Sequence, residues 1–166
     1  AQAVDASRGR YVWFADCDDA FDLAGVIALA EQARDDGFDA AVGRAEVELD
    51  GRVLPKLIDA VEPGARDRRE WVRMLLHGEV DGYLWNKVLS RDLAADSPDL
   101  PLLRTQEDFC RVVLAASRAQ RVLFSSRIVY RYRMHDASVT RTRTPELGNL
   151  QASRDYLAGI AARELA

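Results

Sequence analysis

Cysteine is nearly absent. Cys17 and Cys110 are the two in a chain of 166 residues, and they lie too far apart in sequence to make a zinc-ligand spacing or a disulfide framework. A reducing cytoplasm is the compartment that follows by default. Long apolar runs are missing as well: no stretch approaches the roughly twenty residues a bilayer-spanning helix needs, and no signal-peptide pattern opens the chain. Excess positive charge is lacking too. Lys and Arg number 23 against 27 Asp and Glu, for a formal charge of -4, which argues against a nucleic-acid partner because phosphate binding wants a basic surface. Arginines gather between Arg127 and Arg143, but acids elsewhere outnumber them. Lysine is scarcest of the charged residues, with Lys56 and Lys87 against 21 arginines. Neither an internal repeat nor a low-complexity tract is present.

What remains, 48% hydrophobic and 30% charged residues, suits one soluble globular domain over residues 1–166 with material for a core. A second complete domain would not fit. Tyr11 to Phe14, β-branched and aromatic, reads as a short buried strand continuing to Ala15, and it runs directly into Asp16, Asp18 and Asp19. Like charges this close repel and raise one another's pKa values. Such an arrangement is costly unless a cation, most often a divalent metal, sits among the carboxylates. The alternative is that these acids precede the helix that Asp22 caps, where negative charge suits the helix N-terminus.

Residues 1–7 read as the tail of a helix closed by Arg8 and Gly9, so the chain is expected to begin partway through something longer. A helix is expected from Asp22 to about Arg34, with Leu23, Val26, Ile27 and Ala30 on one face. Ala40 to Leu49 alternates as a strand, and Asp50-Gly51 is a hairpin dipeptide returning into Arg52-Val53-Leu54. Pro63 to Arg69 reads as a polar loop, with Asp67 capping a helix that carries Trp71, Val72, Leu75 and Leu76. Gly82 to Leu89 is strand-like but holds Asn86 and Lys87 amid apolar residues. On one reading these hold hydroxyls or a phosphate; on the other, Lys87 points to solvent from an edge strand.

Glu107-Asp108 opens a helical run from Phe109 to Ala119. Thr105 with Asp108 three residues on has the form of a capping box, and a carboxylate so placed at the mouth of a cleft can also serve as a general base. Two short strands follow, Gln120 to Phe124 and Ile128 to Arg133. After them comes a polar stretch, Met134 to Thr140, and Pro145 opens a final amphipathic helix.

Four separate stretches of this chain, in this order, resemble the family 2 glycosyltransferases of the GT-A fold. Ser7-Arg8-Gly9-Arg10-Tyr11-Val12-Trp13-Phe14-Ala15-Asp16-Cys17-Asp18-Asp19 is similar to that family's strand into a DxD motif. Trp85-Asn86-Lys87-Val88-Leu89 resembles its WNKLY-type strand, and Glu107-Asp108 its acidic pair at a helix start. Tyr130-Arg131-Tyr132-Arg133-Met134-His135-Asp136-Ala137-Ser138-Val139-Thr140 resembles its YxYRxHxxSxT ending. The fold implied is α/β: a truncated, Rossmann-like GT-A sheet flanked by helices, with a small β-hairpin.

The activity implied is inverting, metal-dependent glycosyl transfer in bacterial cell-surface polysaccharide synthesis. The donor would be a nucleotide-diphosphate sugar, and the acceptor a hydroxyl of a glycan or lipid-linked molecule. By the resemblance, Asp18 is the direct ligand of Mn²⁺ or Mg²⁺, and Asp16 supports the metal or the ribose. Asp108, with Glu107 beside it, takes the acceptor proton. His135 completes the metal or diphosphate site or is a satisfied loop residue, Arg133 and Ser138 hold phosphate oxygens, and Lys87 belongs with the donor-binding set.

The family's upstream strands, which bind base and ribose, have no counterpart here. The chain is therefore expected to be the C-terminal part of such an enzyme, inactive and self-associating by itself. The alternative is an inert fragment acting at most as a binding domain. A lipid-linked acceptor would bring the enzyme to the inner membrane face, although no basic amphipathic helix demands it. Haloacid-dehalogenase phosphatases also place DxD after an apolar strand. They want Thr or Val two residues past the second Asp, where this chain has Ala20.

Overall fold

The computed structural model describes residues 2–95, 100, 101, 103, 107–134 and 147–166. Helix α1 (Gln2–Ala6) leads into β1 (Tyr11–Trp13), and β2 (Ala20–Phe21) precedes α2 (Leu23–Asp35). The hairpin β3 (Ala40–Leu49) and β4 (Arg52–Ile58) comes next, then β5 (Gly64–Asp67) and α3 (Arg68–Leu76). After β6 (Lys87–Ser90) come α4 (Arg91–Ala94), α5 (Glu107–Arg118), β7 (Arg121–Met134) and α6 (Leu147–Glu164). Among the described residues no helix is long and apolar enough to cross a membrane.

The seven strands form one mixed sheet in the order β1-β6-β3-β7-β2, with β4 added to β3 and β5 to β7. Its spine is the parallel pair β3 and β7, matched from Ala40↔Val122 to Leu49↔Met134. Midway, near Gly43 and Arg44, the register shifts and both strands exchange neighbours. The first half of β3 pairs β6 and its second half β4, while β7 passes from β5 to β2. Gly43 sits at this crossing because a Cβ there would come within 2.6 Å of Val129 Cγ2. The Ser125-Ser126-Arg127 break in apolar patterning, which predicts two strands, is instead this irregularity inside one long β7.

Each face of the sheet carries its own core. On one side α3, α5 and α6 pack around Trp71, Val72, Leu75, Val112, Phe124 and Ile160. On the other, Val26, Leu29 and Ala33 of α2 meet Ala41, Trp85, Val88 and Tyr130. The buried stripe of α2 differs from the expected one: Leu23 and Ile27 are about half exposed, because the face directed at the sheet repeats as 26, 29 and 33. Asp22 stands at the N-cap without a side-chain cap bond.

Two local expectations hold in detail. The Asp50-Gly51 turn has positive φ at both central residues, 50° and 77°, as a two-residue type I′ hairpin requires. Asp67 Oδ1 accepts the Glu70 N–H at 2.8 Å, a cap worth about 1 kcal/mol. The supposed polar loop before it is strand β5, drawn into the sheet by pairing with Arg121 to Phe124. The eight-residue strand expected at Gly82 to Leu89 shrinks to Lys87–Ser90, since Lys87 N–H turns back onto Leu84 O at 3.0 Å.

Candidate functional site

The acidic stretch leaves the sheet at the end of β1. Asp16, Cys17 and Asp18 are exposed and Asp19 is half-buried, so the four residues serve different ends. Asp19 is committed to the fold: its Oδ2 accepts the Tyr130 hydroxyl at 2.8 Å and its Oδ1 the Arg133 N–H at 2.7 Å. Tyr130 Oη in turn accepts the Asp16 N–H at 3.0 Å. One buried phenol on β7 thus clamps both ends of the acidic turn.

An aromatic ladder fixes that phenol. Tyr130 stacks on Trp85 at 4.5 Å between ring centroids, and Trp85 on Tyr83 at 4.7 Å. Trp13 lies edge-on to Phe21 at 4.9 Å and donates from Nε1 to Trp85 O at 2.6 Å. Rings in these offset and edge-on geometries are stiff supports. Sequence reading places Asp19 among the clustered acids and Tyr130 in the motif-like ending, but not the bond between them. The one available signal is the alternation in Tyr130-Arg131-Tyr132-Arg133, which turns the tyrosines to one face of β7.

Across from this turn, Glu107 and Asp108 begin α5. Glu107 is engaged by Arg111 one turn on, at 2.8 Å. Asp108 is an exposed residue, yet its carboxyl is raised above the ordinary range. Desolvation by the surrounding protein is the main cause, and the charges of Asp16 and Glu107 add to it, against the opposing pull of Arg111 and Lys87. Asp16 is raised as well, first by desolvation and then by Asp19 and Asp18. The fold therefore brings the end of β1 and the start of α5, over ninety residues apart in sequence, within electrostatic reach of each other.

Lys87 is not where either sequence reading put it. It is 0% exposed, because β6 lies between β1 and β3 and is not an edge strand. Its Nζ donates to Asp59 Oδ2 at 2.9 Å and to Asn86 Oδ1 at 2.8 Å. Asn86 Nδ2 donates to the same Asp59 Oδ2 and to Gly43 O, both at 2.8 Å. Asp59, held at φ 54°, was invisible in the sequence: it follows the strand β4 with no motif around it. With its ammonium buried on these partners, Lys87 has no surface to offer a phosphate, and its place in a donor-binding set is corrected to an internal one.

Arg133 stands on the exposed flank of β7 with Nε 3.7 Å from Glu48 Oε1, and its main-chain N–H donates to Asp19 of the acidic turn. His135 and Ser138, and Thr105 of the expected capping box, lie outside the described residues. Among the described residues, no group of three or more His, Cys, Asp and Glu side chains is placed to hold a metal ion. The residues at the turn nonetheless suit a hard divalent cation. Asp16 and Asp18 are exposed carboxylates, the second of which raises the pKa of the first, and Mg²⁺-type sites commonly use one or two carboxylates with substrate phosphates supplying the rest.

No known family model matches the chain, and no curated protein matches it in sequence. Solved structures do. Residues 1–349 of S. aureus TarS in complex with UDP-GlcNAc superpose with a TM-score of 0.77 at 16% identity, covering 98% of this chain and 46% of that one. The same TarS segment in complex with UDP gives 0.71 at 16% identity, covering 98% and 44%. Without ligand it gives 0.62 at 20% identity, covering 80% and 38%. The chain spans less than half the length of these TarS chains. The likeness is one of fold, a Rossmann-like mixed sheet flanked by helices.

Proposed function

We propose that this chain belongs to an inverting glycosyltransferase of family 2 type, which moves a sugar from a nucleotide-diphosphate donor to a hydroxyl of a glycan or lipid-linked acceptor. The observation that carries this reading is the convergence of Asp16 and Asp108 within a fold shared with TarS, a protein solved with UDP-GlcNAc and with UDP. Asp108 is the general base. Its raised carboxyl is suited to that work, since a base is most effective when its pKa approaches the working pH. It takes the acceptor proton as the acceptor oxygen bonds to the anomeric carbon, while the bond from that carbon to the diphosphate oxygen breaks on the opposite face. Configuration at the carbon inverts.

Asp16 and Asp18 would hold Mn²⁺ or Mg²⁺, which supplies positive charge for the departing diphosphate. Asp19 and Tyr130 keep these two carboxylates at a fixed height above the sheet. Glu107 stands beside Asp108, paired with Arg111 one turn along the same helix. A transfer assay on the whole protein with UDP-, GDP- and dTDP-sugars and Mn²⁺, following nucleoside diphosphate release, tests the reading. Asp18→Asn should abolish release and weaken Mn²⁺ binding in titration calorimetry performed with the nucleotide. Unaltered Mn²⁺ affinity in that variant would return the acids to a helix-capping role.

A further inference from the structure

A charged network this deep is unusual at the heart of a sheet: Asp59, Asn86 and Lys87 are 5%, 1% and 0% exposed. All three are mutually hydrogen-bonded, and the arrangement ties together three separate parts of the chain. Asp59 follows β4, Asn86 precedes β6 and Lys87 begins it, and Gly43 lies at the register shift of β3, exchanging bonds with Asn86 in both directions (Gly43 N–H to Asn86 O, 2.9 Å; Asn86 Nδ2 to Gly43 O, 2.8 Å). The free oxygen of Asp59 accepts the Asp81 N–H at 2.6 Å. The network therefore also anchors the far end of the turn at 81–86.

That turn rests directly on the start of α5. Gly82 approaches Phe109 so closely that a Cβ would stand 2.2 Å from Phe109 Cδ2 and 2.7 Å from its Cα, and Phe109 is the residue after Asp108. Contact with the Phe109 main chain leaves no room for a side chain at position 82. Around Asp108 the charged groups are Asp16 from the turn after β1, Glu107 and Arg111 from its own helix, and Lys87 from β6. Asp81, the exposed carboxylate at the other side of the turn, is raised by desolvation and by Asp59, and lowered less strongly by Lys87 and Lys56. A buried cation of this kind is screened little by solvent.

We infer that Asp59, Asn86 and Lys87 form a positioning device, seating the 81–86 turn against Phe109 so that Asp108 is held at the height and in the field in which it meets an acceptor hydroxyl. Lys87 is then a positioning residue and touches no substrate. This rests on the reading of Asp108 as the base, and it adds Gly82 as a position that only the smallest residue can fill.

Two variants test it by different routes. Asp59→Asn combined with Lys87→Gln removes both charges while keeping polar groups of similar size, and a buried ion pair replaced by neutral groups is commonly tolerated. Gly82→Ala leaves the network intact and pushes the turn off Phe109. In the double variant, carbon-detected NMR titration of the unliganded chain should show the Asp108 carboxyl moving up in pH, because a cation that lowered it is gone, while the Asp81 carboxyl moves down, because it loses the stronger raising effect of Asp59 along with the lowering effect of Lys87. The acidic limb of the transfer rate should move up with Asp108. In Gly82→Ala, kcat should fall about tenfold to hundredfold, the scale of a small misplacement of a reacting group, with donor KM unchanged.

A folded double variant with both titrations where they were overturns the inference, and so does Gly82→Ala with the wild-type kcat. If the double variant fails to fold, Gly82→Ala decides. If the wild-type protein transfers no sugar, the proposed function falls by itself, and the titration still decides whether Lys87 acts on Asp108.

Discussion

Two groups of charges in this protein are built in opposite ways. At the centre of the sheet, Asp59 and Lys87 are buried, 2.9 Å apart and fully partnered. At the rim, Asp16 and Asp108 are exposed and each is pushed up by desolvation and by other acids. A buried charge persists only with a partner and satisfied hydrogen bonds, so the central pair reports on architecture. Acids left in one another's fields at a surface report on something that arrives from outside. Perturbed carboxylates in such places are where binding and catalysis are sought.

The sharpest way to break the comparison is to remove one partner of the central pair. Lys87→Met leaves Asp59 charged in an apolar interior and should cost about 3–5 kcal/mol, the penalty of an orphaned buried ion. The double neutral variant should cost much less. Urea unfolding of wild type, single and double variants gives the comparison directly, provided the slope with denaturant stays constant. A single variant as stable as the double would mean that Asp59 finds water and that the pair is not sealed.

At the rim the expectation has the opposite sign. Asp108 has a raised pKa in the folded chain, so between the ordinary carboxyl range and that raised value the native state binds more protons than the unfolded one. Stability is then lost as pH rises through that window. Asp108→Asn removes the charged form, so at neutral pH its Tm should equal or exceed that of wild type, with the difference closing as pH falls below the ordinary carboxyl range. Transfer by the whole protein should nevertheless slow by roughly 10²–10⁴-fold. A clear fall in Tm with a near-normal rate would make Asp108 a helix cap and nothing more.

How much of this was legible beforehand divides along the same line. The rim could be read because its residues sit together in sequence or carry motifs: three acids after a strand, and Glu107-Asp108 before an apolar helix. Helix α3 with its Asp67 cap and the Asp50-Gly51 hairpin were legible for a similar reason, since their chemistry is local. The centre was not. Asp59 and Lys87 are 28 residues apart, and nothing in either neighbourhood announces the other. Lys87 looked like an edge residue because an ammonium within an apolar run has no visible partner until the strands are ordered. Strand β5 and the outward turn of Leu23 and Ile27 on α2 were missed for the same cause: pairing and helix rotation are fixed by neighbours, while the local pattern admits more than one answer.

The smallest effect is expected where the two regions meet, at Tyr130. Its ring belongs to the centre, stacked on Trp85, and its hydroxyl belongs to the rim, accepting from Asp16 N–H and donating to Asp19. Tyr130→Phe keeps the stack and deletes the clamp. Asp19 still receives the Arg133 N–H, and the Asp16 N–H lies at a surface turn that water can reach. The loss should therefore stay near a single net hydrogen bond, about 0.5–1.5 kcal/mol, seen as a lower urea midpoint at unchanged slope. If the clamp matters to the cation site, Mn²⁺ affinity measured with nucleotide should drop by a few-fold, about the factor that 1 kcal/mol represents, while Asp18→Asn removes it altogether. A variant that loses stability but keeps its Mn²⁺ affinity would show that the carboxylates of Asp16 and Asp18 hold their places without the phenol, and would assign Tyr130 wholly to the core.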